Sequence, residues 1–260
     1  MIDFLCQHEA LATLDDLVAA DRHSILIEGP QGCGKSFLAR EFSRRKNIPD
    51  VQFIAPTVDD VKSTVQEFYS IQNKSIVVIE NLDCGVPGAS YALLKFLEEP
   101  TSNAYVIVTC RNIKKIPDTI ISRSAVISCS PPNDHDIDVY AEHKDSTGYN
   151  IKKDTLVWKA VKSFSDADTV LGMTLDQTSY FDMLVQKLPF RDKVSQLMWD
   201  IGHYPDNSEL PLELALRCFM ICGSGSVRNS AIDCLNDLAL NRIAKHAVLA
   251  RFCFAAKYNA

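Results

Sequence analysis

Gly29-Pro30-Gln31-Gly32-Cys33-Gly34-Lys35-Ser36 follows the apolar run Ser24-Ile25-Leu26-Ile27 and runs straight into a helical pattern beginning Phe37-Leu38-Ala39. A buried strand that feeds a glycine-rich turn and then a helix N-terminus aims several backbone N–H groups at one point, which makes a fixed site for phosphate. The glycines allow close backbone approach or a positive φ that a side chain would forbid. In such a P-loop, Lys35 reaches the β and γ phosphates of a nucleotide and Ser36 offers its hydroxyl to Mg²⁺. The residues expected to cradle the nucleotide are therefore Gly29, Pro30, Gln31, Gly32, Cys33, Gly34, Lys35, Ser36 and Phe37, and the ligand expected is ATP with Mg²⁺.

The rest of the chain is consistent with a large α/β fold around this loop. Apolar strand patterns recur at Val51–Ile54, Ser75–Ile79, Tyr105–Thr109 and Ala125–Ser128. Helical stretches lie ahead of the first strand (Glu9–Ala20) and between the later ones (Val58–Ile71, Ser90–Glu99, Pro117–Ser122). Strands that are apolar throughout and alternate with helices indicate a parallel sheet covered on both faces. After Ser130-Pro131-Pro132 the strand signal ends. Short helices are expected over Ile137–His143, Thr155–Phe164, Ser165–Thr174 and Tyr180–Leu188, then over Lys193–Ile201, Pro211–Ile221 and Ser226–Phe254. The division expected is a nucleotide-binding domain over 1–132, a helical lid over 133–188 and an all-helical segment over 189–260.

Composition limits the alternatives. The chain has 260 residues, 47% hydrophobic and 23% charged, with a formal net charge of −6. That charge argues against broad coating of nucleic acid by this chain alone. The two densest basic clusters, Arg44-Arg45-Lys46 and Arg111 with Lys114-Lys115, read singly as solvated surface. Nine cysteines are scattered, mostly within apolar runs, and no C-x-x-C pair occurs, so reduced buried thiols are expected and a zinc site is not. Cys33 differs, because a thiolate is stabilised at a helix N-terminus. No run of sequence has membrane-spanning length, and a cytoplasmic setting with no membrane partner is expected.

Ser75–Ile79 followed by Glu80-Asn81-Leu82-Asp83 is placed like a Walker B strand. Downstream come Ala92-Leu93-Leu94-Lys95-Phe96-Leu97-Glu98-Glu99-Pro100 and Ile116-Pro117-Asp118-Thr119-Ile120-Ile121-Ser122-Arg123-Ser124. In this order, Ser75–Pro132 resembles the AAA+ module of DNA polymerase III clamp-loader subunits of the gamma/tau and delta-prime kind. The likeness covers the first half of the chain well and the remainder only in its helical character.

The resemblance implies a P-loop AAA+ sheet with a helical lid and a collar-like oligomerisation segment. It also implies partners: other clamp-loader subunits, a sliding clamp and primer-template DNA, for which Lys114 and Lys115 are candidate contacts. It places the family's Walker B aspartate at Glu80, a second candidate ligand for Mg²⁺ beside Ser36, and its catalytic glutamate at Asn81. Asn81 can orient a water but cannot accept its proton, so weak hydrolysis is expected unless Asp83 serves as base. Arg123 matches the arginine finger that reaches a neighbour's γ-phosphate, which makes any ATPase active only in an assembly. The sensor residue falls among Thr109, Cys110, Arg111 and Asn112, with Thr109 as the candidate nucleotide contact, and the second-sensor arginine is replaced by Ala167. The family's zinc-binding cysteine group is missing, and a compact chain of this kind would suit a bacteriophage-encoded loader in an infected bacterial cell. Two other readings stay open: a nucleotide-dependent scaffold without useful hydrolysis, and another AAA+ replication ATPase such as a helicase loader or branch-migration motor.

Overall fold

The structure, a computed structural model, describes residues 7–70, 72–174, 178–179, 212–222, 225–239, 248 and 251–252. The chain divides into two compact units, Met1–Asp136 and Ile137–Ala260.

In the first unit the elements run α1 (His8–Ala19), β1 (Ser24–Glu28), α2 (Lys35–Lys46), β2 (Val51–Ile54), α3 (Val58–Phe68), β3 (Ser75–Ile79), α4 (Pro87–Glu98), β4 (Ala104–Cys110), α5 (Asp118–Ile121) and β5 (Ala125–Ser128). Short 3-10 turns at Leu82–Cys84 and Ile113–Lys115 follow β3 and β4. All strand pairs are parallel and the order is β2-β3-β4-β1-β5.

Because successive side chains of a strand point to opposite faces, an all-apolar strand serves two cores. Val77 and Ile79 of β3, with Val106 and Val108 of β4, join Val61, Leu93 and Phe96 of α3 and α4 on one face. Ile76 and Val78, with Tyr105 and Ile107, join Leu14, Leu38 and Phe42 of α1 and α2 on the other. This double coverage is why the strands read as continuous apolar runs. Thr57 starts α3, its hydroxyl accepting from the Asp60 N–H at 3.1 Å. Asn47 ends α2 in the left-handed conformation, at φ 55°.

Of the basic run at the end of α2, expected as solvated surface, Arg44 is exposed whereas Arg45 and Lys46 are half-buried. Arg44 and Arg45 pair with Glu41, Arg45 also with Asp15 at 2.5 Å, and Lys46 with Asp21. The cations sit at the helix C-terminus, where its dipole favours them.

In the second unit, α6 (Asp134–Lys144, which begins in the first unit), α7 (Ser146–Lys152), α8 (Leu156–Lys159) and α9 (Phe164–Gly172) precede α10 (Leu212–Cys222) and α11 (Gly225–Ala239). The single helix expected over Thr155–Phe164 is a correction: it stops at Lys159, and the chain restarts at Ser163. The Ser163 hydroxyl accepts from the Asp166 N–H at 3.1 Å and so caps a new helix. Helix α7 was not legible as an apolar pattern. It is set by Asp145, which caps the Gly148 N–H at 2.9 Å. Lys152, buried, donates to the carbonyls of Val170 (3.0 Å) and Leu171 (2.6 Å), closing the C-terminus of α9. The helices expected over Tyr180–Leu188 and Lys193–Ile201 lie outside the described residues. Of the long helix expected over Ser226–Phe254, Gly225–Ala239 is described as α11. No helix among the described residues is long and apolar enough to cross a membrane.

Candidate functional site

Strand β1 ends at Glu28, and the eight residues that follow turn into α2. Gly32 and Gly34 take φ values of 71° and 105°, left-handed positions that suit glycine. Gly29 is required for space: a Cβ there would lie 2.8 Å from the Cβ and O of Cys129 and from the Sγ of Cys33. Lys35 is buried and folds back over its own loop, donating from Nζ to the carbonyls of Gly29 and Pro30, each at 2.7 Å. An ammonium held by two neutral carbonyls keeps its charge uncompensated, which suits it to transfer to an anion. Phe37, in the first turn of α2, is partly buried against the core cluster on this face of the sheet.

The sheet brings the second half of the site to the same edge. The Ser36 hydroxyl donates to Oε1 of Glu80 at 3.2 Å, joining the first turn of α2 to the end of β3. A hydroxyl and a carboxylate so placed form an all-oxygen set suited to a hard divalent cation. Asn81 adopts φ 51° and ψ 53° at the start of the 3-10 turn. Its backbone N–H donates to Oγ1 of Thr109 at 2.9 Å. Thr109 is buried at the end of β4, beside β1 and β3. The other residues among which the sensor was expected are occupied differently. Cys110 packs into one face of the core, the Arg111 N–H donates to Asp83 Oδ1 at 3.1 Å, and Asn112 Oδ1 caps the Lys114 N–H at 3.0 Å. Asp83 thus has one carboxylate oxygen engaged on the β4 exit.

Gln7 and Cys129 lie beneath this loop and are not among the expected site residues. Buried Gln7 donates from Nε2 to the Cys33 carbonyl at 3.0 Å and to the Ser130 carbonyl at 2.7 Å, pinning the loop to the exit of β5. Its position just ahead of α1 was the available signal. Hydrogen bonding with the Cys129 thiol, helped by the Lys35 charge, brings the Cys33 thiol down to about 7 against the opposing effect of burial.

Arg123 is not brought to this cluster. It precedes β5 at the opposite edge of the sheet, where the Ser24 and Ser124 hydroxyls meet at 2.8 Å and Ile25 pairs with Ala125. Strand β1, five residues long, separates the two edges by roughly 16 Å. There Arg123 donates to Glu98 Oε1 at 3.2 Å and to the Thr119 carbonyl at 3.1 Å, its side chain still 37% exposed. It lines an open cleft with Arg22, His23, Leu97 and Pro100. In the second unit, Ala167 is fully buried in α9, and Asp166 next to it pairs with Arg217 at 2.6 Å.

Residues 45–133 match the sequence model of a family described as "DNA polymerase III, delta subunit". The replication factor C small subunit of Natronomonas pharaonis is 25% identical over 224 residues, covering 76% of this chain and 69% of that protein. The DNA polymerase III subunit delta' of Bacillus subtilis is 27% identical over 157 residues, and the match spans about half of each chain, 48% in both cases. Among solved structures, a DNA polymerase III gamma subunit-related protein of Thermotoga maritima superposes with a TM-score of 0.58. It is 15% identical, and the match covers 94% of this chain and 98% of that one. The fold is thus that of a P-loop AAA+ protein, and in sequence the chain is similar to clamp-loader subunits.

Proposed function

We propose that this chain is an ATP-binding subunit of a sliding-clamp loader, which joins other such subunits, opens the clamp and places it on primer-template DNA. The P-loop amides and Lys35 bind the triphosphate of ATP, and Ser36 with Glu80 hold Mg²⁺. The metal, when bound, neutralises charge on the phosphate oxygens. Asn81 orients a water without deprotonating it, and hydrolysis in this subunit's own pocket is slow. Arg123 acts on the nucleotide of an adjoining subunit.

The observation that carries this reading is the separation of Arg123 from its own phosphate loop by the full length of β1. An arginine on that edge cannot reach the γ-phosphate of its own site, yet it stands half-exposed where a neighbour could present one. Its ion pair with Glu98 is solvent-accessible and worth no more than about 1 kcal/mol, so a triphosphate can displace it. The sequence relatives, a replication factor C small subunit and a DNA polymerase III delta' subunit by name, support the replication role.

The test is steady-state ATP turnover of the assembled complex with and without clamp and primed DNA, alongside ATP binding by the isolated chain. Arg123→Ala is expected to abolish the stimulation, and the chain's own ATP affinity stays unchanged. A scaffold without useful hydrolysis is the second reading, favoured by Asn81 and by the buried Ala167 at the second-sensor position. ATP binding with no stimulated turnover in the wild-type assembly would select it. No affinity for Mg-ATP would sink both.

A further inference from the structure

Three buried thiols surround the root of the phosphate loop, and two of them meet. Cys33 lies in the loop, Cys129 follows β5 and Cys110 closes β4. Cys33 and Cys129 pack into the same face of the core, whereas Cys110 packs into the other. Gly29 stands between the pair: the 2.8 Å spaces to Cys33 Sγ and Cys129 Cβ open from the same missing Cβ. Both side chains thus reach the same point in space.

The backbone fixes this encounter. The Cys129 N–H donates to the Glu28 carbonyl at 2.7 Å, in register with the last residue of β1. Gln7 bridges the carbonyls of Cys33 and Ser130, holding the loop and the β5 exit side by side. Two cysteines 96 residues apart in sequence are therefore neighbours for reasons of sheet topology, not of chance side-chain rotation.

We propose that Cys33 and Cys129 are an oxidisable pair whose disulfide switches the phosphate loop off. The Cys33 thiolate attacks one oxygen of a hydroperoxide. The O–O bond breaks, the departing oxygen takes up a proton, and a sulfenic acid forms on Cys33. The Cys129 sulfur then attacks that sulfur, the S–O bond breaks, and water leaves carrying the Cys129 proton. Two thiols are oxidised to one disulfide, and one hydroperoxide is reduced to its alcohol, or to water if it is hydrogen peroxide.

The neighbours set the roles. The lowered Cys33 thiol, near 7, is ionised in part at neutral pH and attacks first. Burial, reinforced by Asp83 and Glu28, pushes Cys110 up to about 12, which keeps it a thiol. Bonded sulfurs sit about 2.05 Å apart, much closer than hydrogen-bonded thiols. Closing that distance draws Cys33 toward the β5 exit and turns the loop amides from their common focus. The pairing of the two cysteines stands on the geometry of the loop and the β5 exit; its effect on affinity rests on the ATP reading above.

The experiment treats the full chain with hydrogen peroxide, maps disulfides by mass spectrometry of unreduced peptides, and measures binding of a fluorescent ATP analogue. A Cys33–Cys129 linked peptide is expected, with affinity falling at least about tenfold and returning on addition of dithiothreitol. Cys129→Ala is expected to bind the analogue when reduced and to lack both the linked peptide and the reversible loss. Absence of the linked peptide in the wild-type chain overturns the proposal, as does a linked chain that binds as well as the reduced one. A reduced wild-type chain without affinity overturns the nucleotide reading instead, and the peptide map still decides whether the pair forms.

Discussion

The Ser36 hydroxyl and the Glu80 carboxylate meet at 3.2 Å although 44 residues separate them. The parallel pairing of β3 with β4, and of β4 with β1, carries Glu80 to the edge from which the phosphate loop springs. If this pair holds the cation that accompanies ATP, removing either oxygen should weaken Mg-ATP more than metal-free ATP. Ser36→Ala and Glu80→Gln are each expected to lower Mg-ATP affinity by about tenfold, or about 1.4 kcal/mol. Titration calorimetry with and without Mg²⁺ measures the difference; equal losses in both conditions would remove Glu80 from the metal site.

Gly29 tests the packing under the loop. The three atoms 2.8 Å from a Cβ at this position include the Cys129 carbonyl oxygen, a backbone atom of a residue whose N–H is bonded to the Glu28 carbonyl. Gly29→Ala is therefore expected to destabilise the protein by about 1–3 kcal/mol through overpacking, and to lower ATP affinity by shifting the loop. Thermal unfolding together with nucleotide binding would show it. An unchanged melting temperature would contradict the close approach.

Asn81 occupies a left-handed position, φ 51° and ψ 53°, at the start of a 3-10 turn. Asparagine adopts this conformation more readily than glutamate. The Asn81→Glu change is expected to raise assembly-stimulated turnover by supplying a base, at a stability cost of roughly 1 kcal/mol. Turnover that stays flat while the protein remains folded would show that weak hydrolysis has another cause.

Acid stability has a local contribution at Asp21. The hydrogen bond from Lys46, and then that from Tyr105, bring its carboxyl down from 3.8 to about 2. A carboxyl lowered in the folded state contributes stability that is complete above the unfolded value and is lost as pH falls through the folded one. The window here is therefore between about pH 4 and pH 2. Asp21 is well exposed, so the effect is small and weakened by salt. Asp21→Asn keeps a residue that tolerates the positive φ of 52°. Its stability deficit relative to the wild type should shrink as pH drops through that window in urea titrations, and a constant deficit would argue against the pairing.

The phosphate loop, the strand pattern and the order of elements were legible because each depends on local chemistry. Glycines mark the turn, and strands buried on both faces must be apolar at every position. The loop lysine, the neighbouring serine and the acid after the third strand were read from spacing within short motifs. Helix α7 and the break at Ser163 were harder, because capping by Asp145 and Ser163 depends on single polar side chains and leaves no apolar rhythm. The sensor register is open among Thr109, Cys110, Arg111 and Asn112 in the sequence, because these neighbours differ only in their tertiary surroundings.

By itself the sequence determined that a phosphate-binding turn sits on a two-faced sheet, since hydrophobic periodicity and glycine placement act within a few residues of the chain. Which distant residues share an edge of that sheet was decided only by strand order. The order β2-β3-β4-β1-β5 sets Glu80 beside Ser36, Thr109 beside Asn81 and Cys129 beside Cys33, and leaves Arg123 at the far end of β1. Long-range pairing of this kind follows from burying both faces at once, a property of the whole chain that no short window of residues contains.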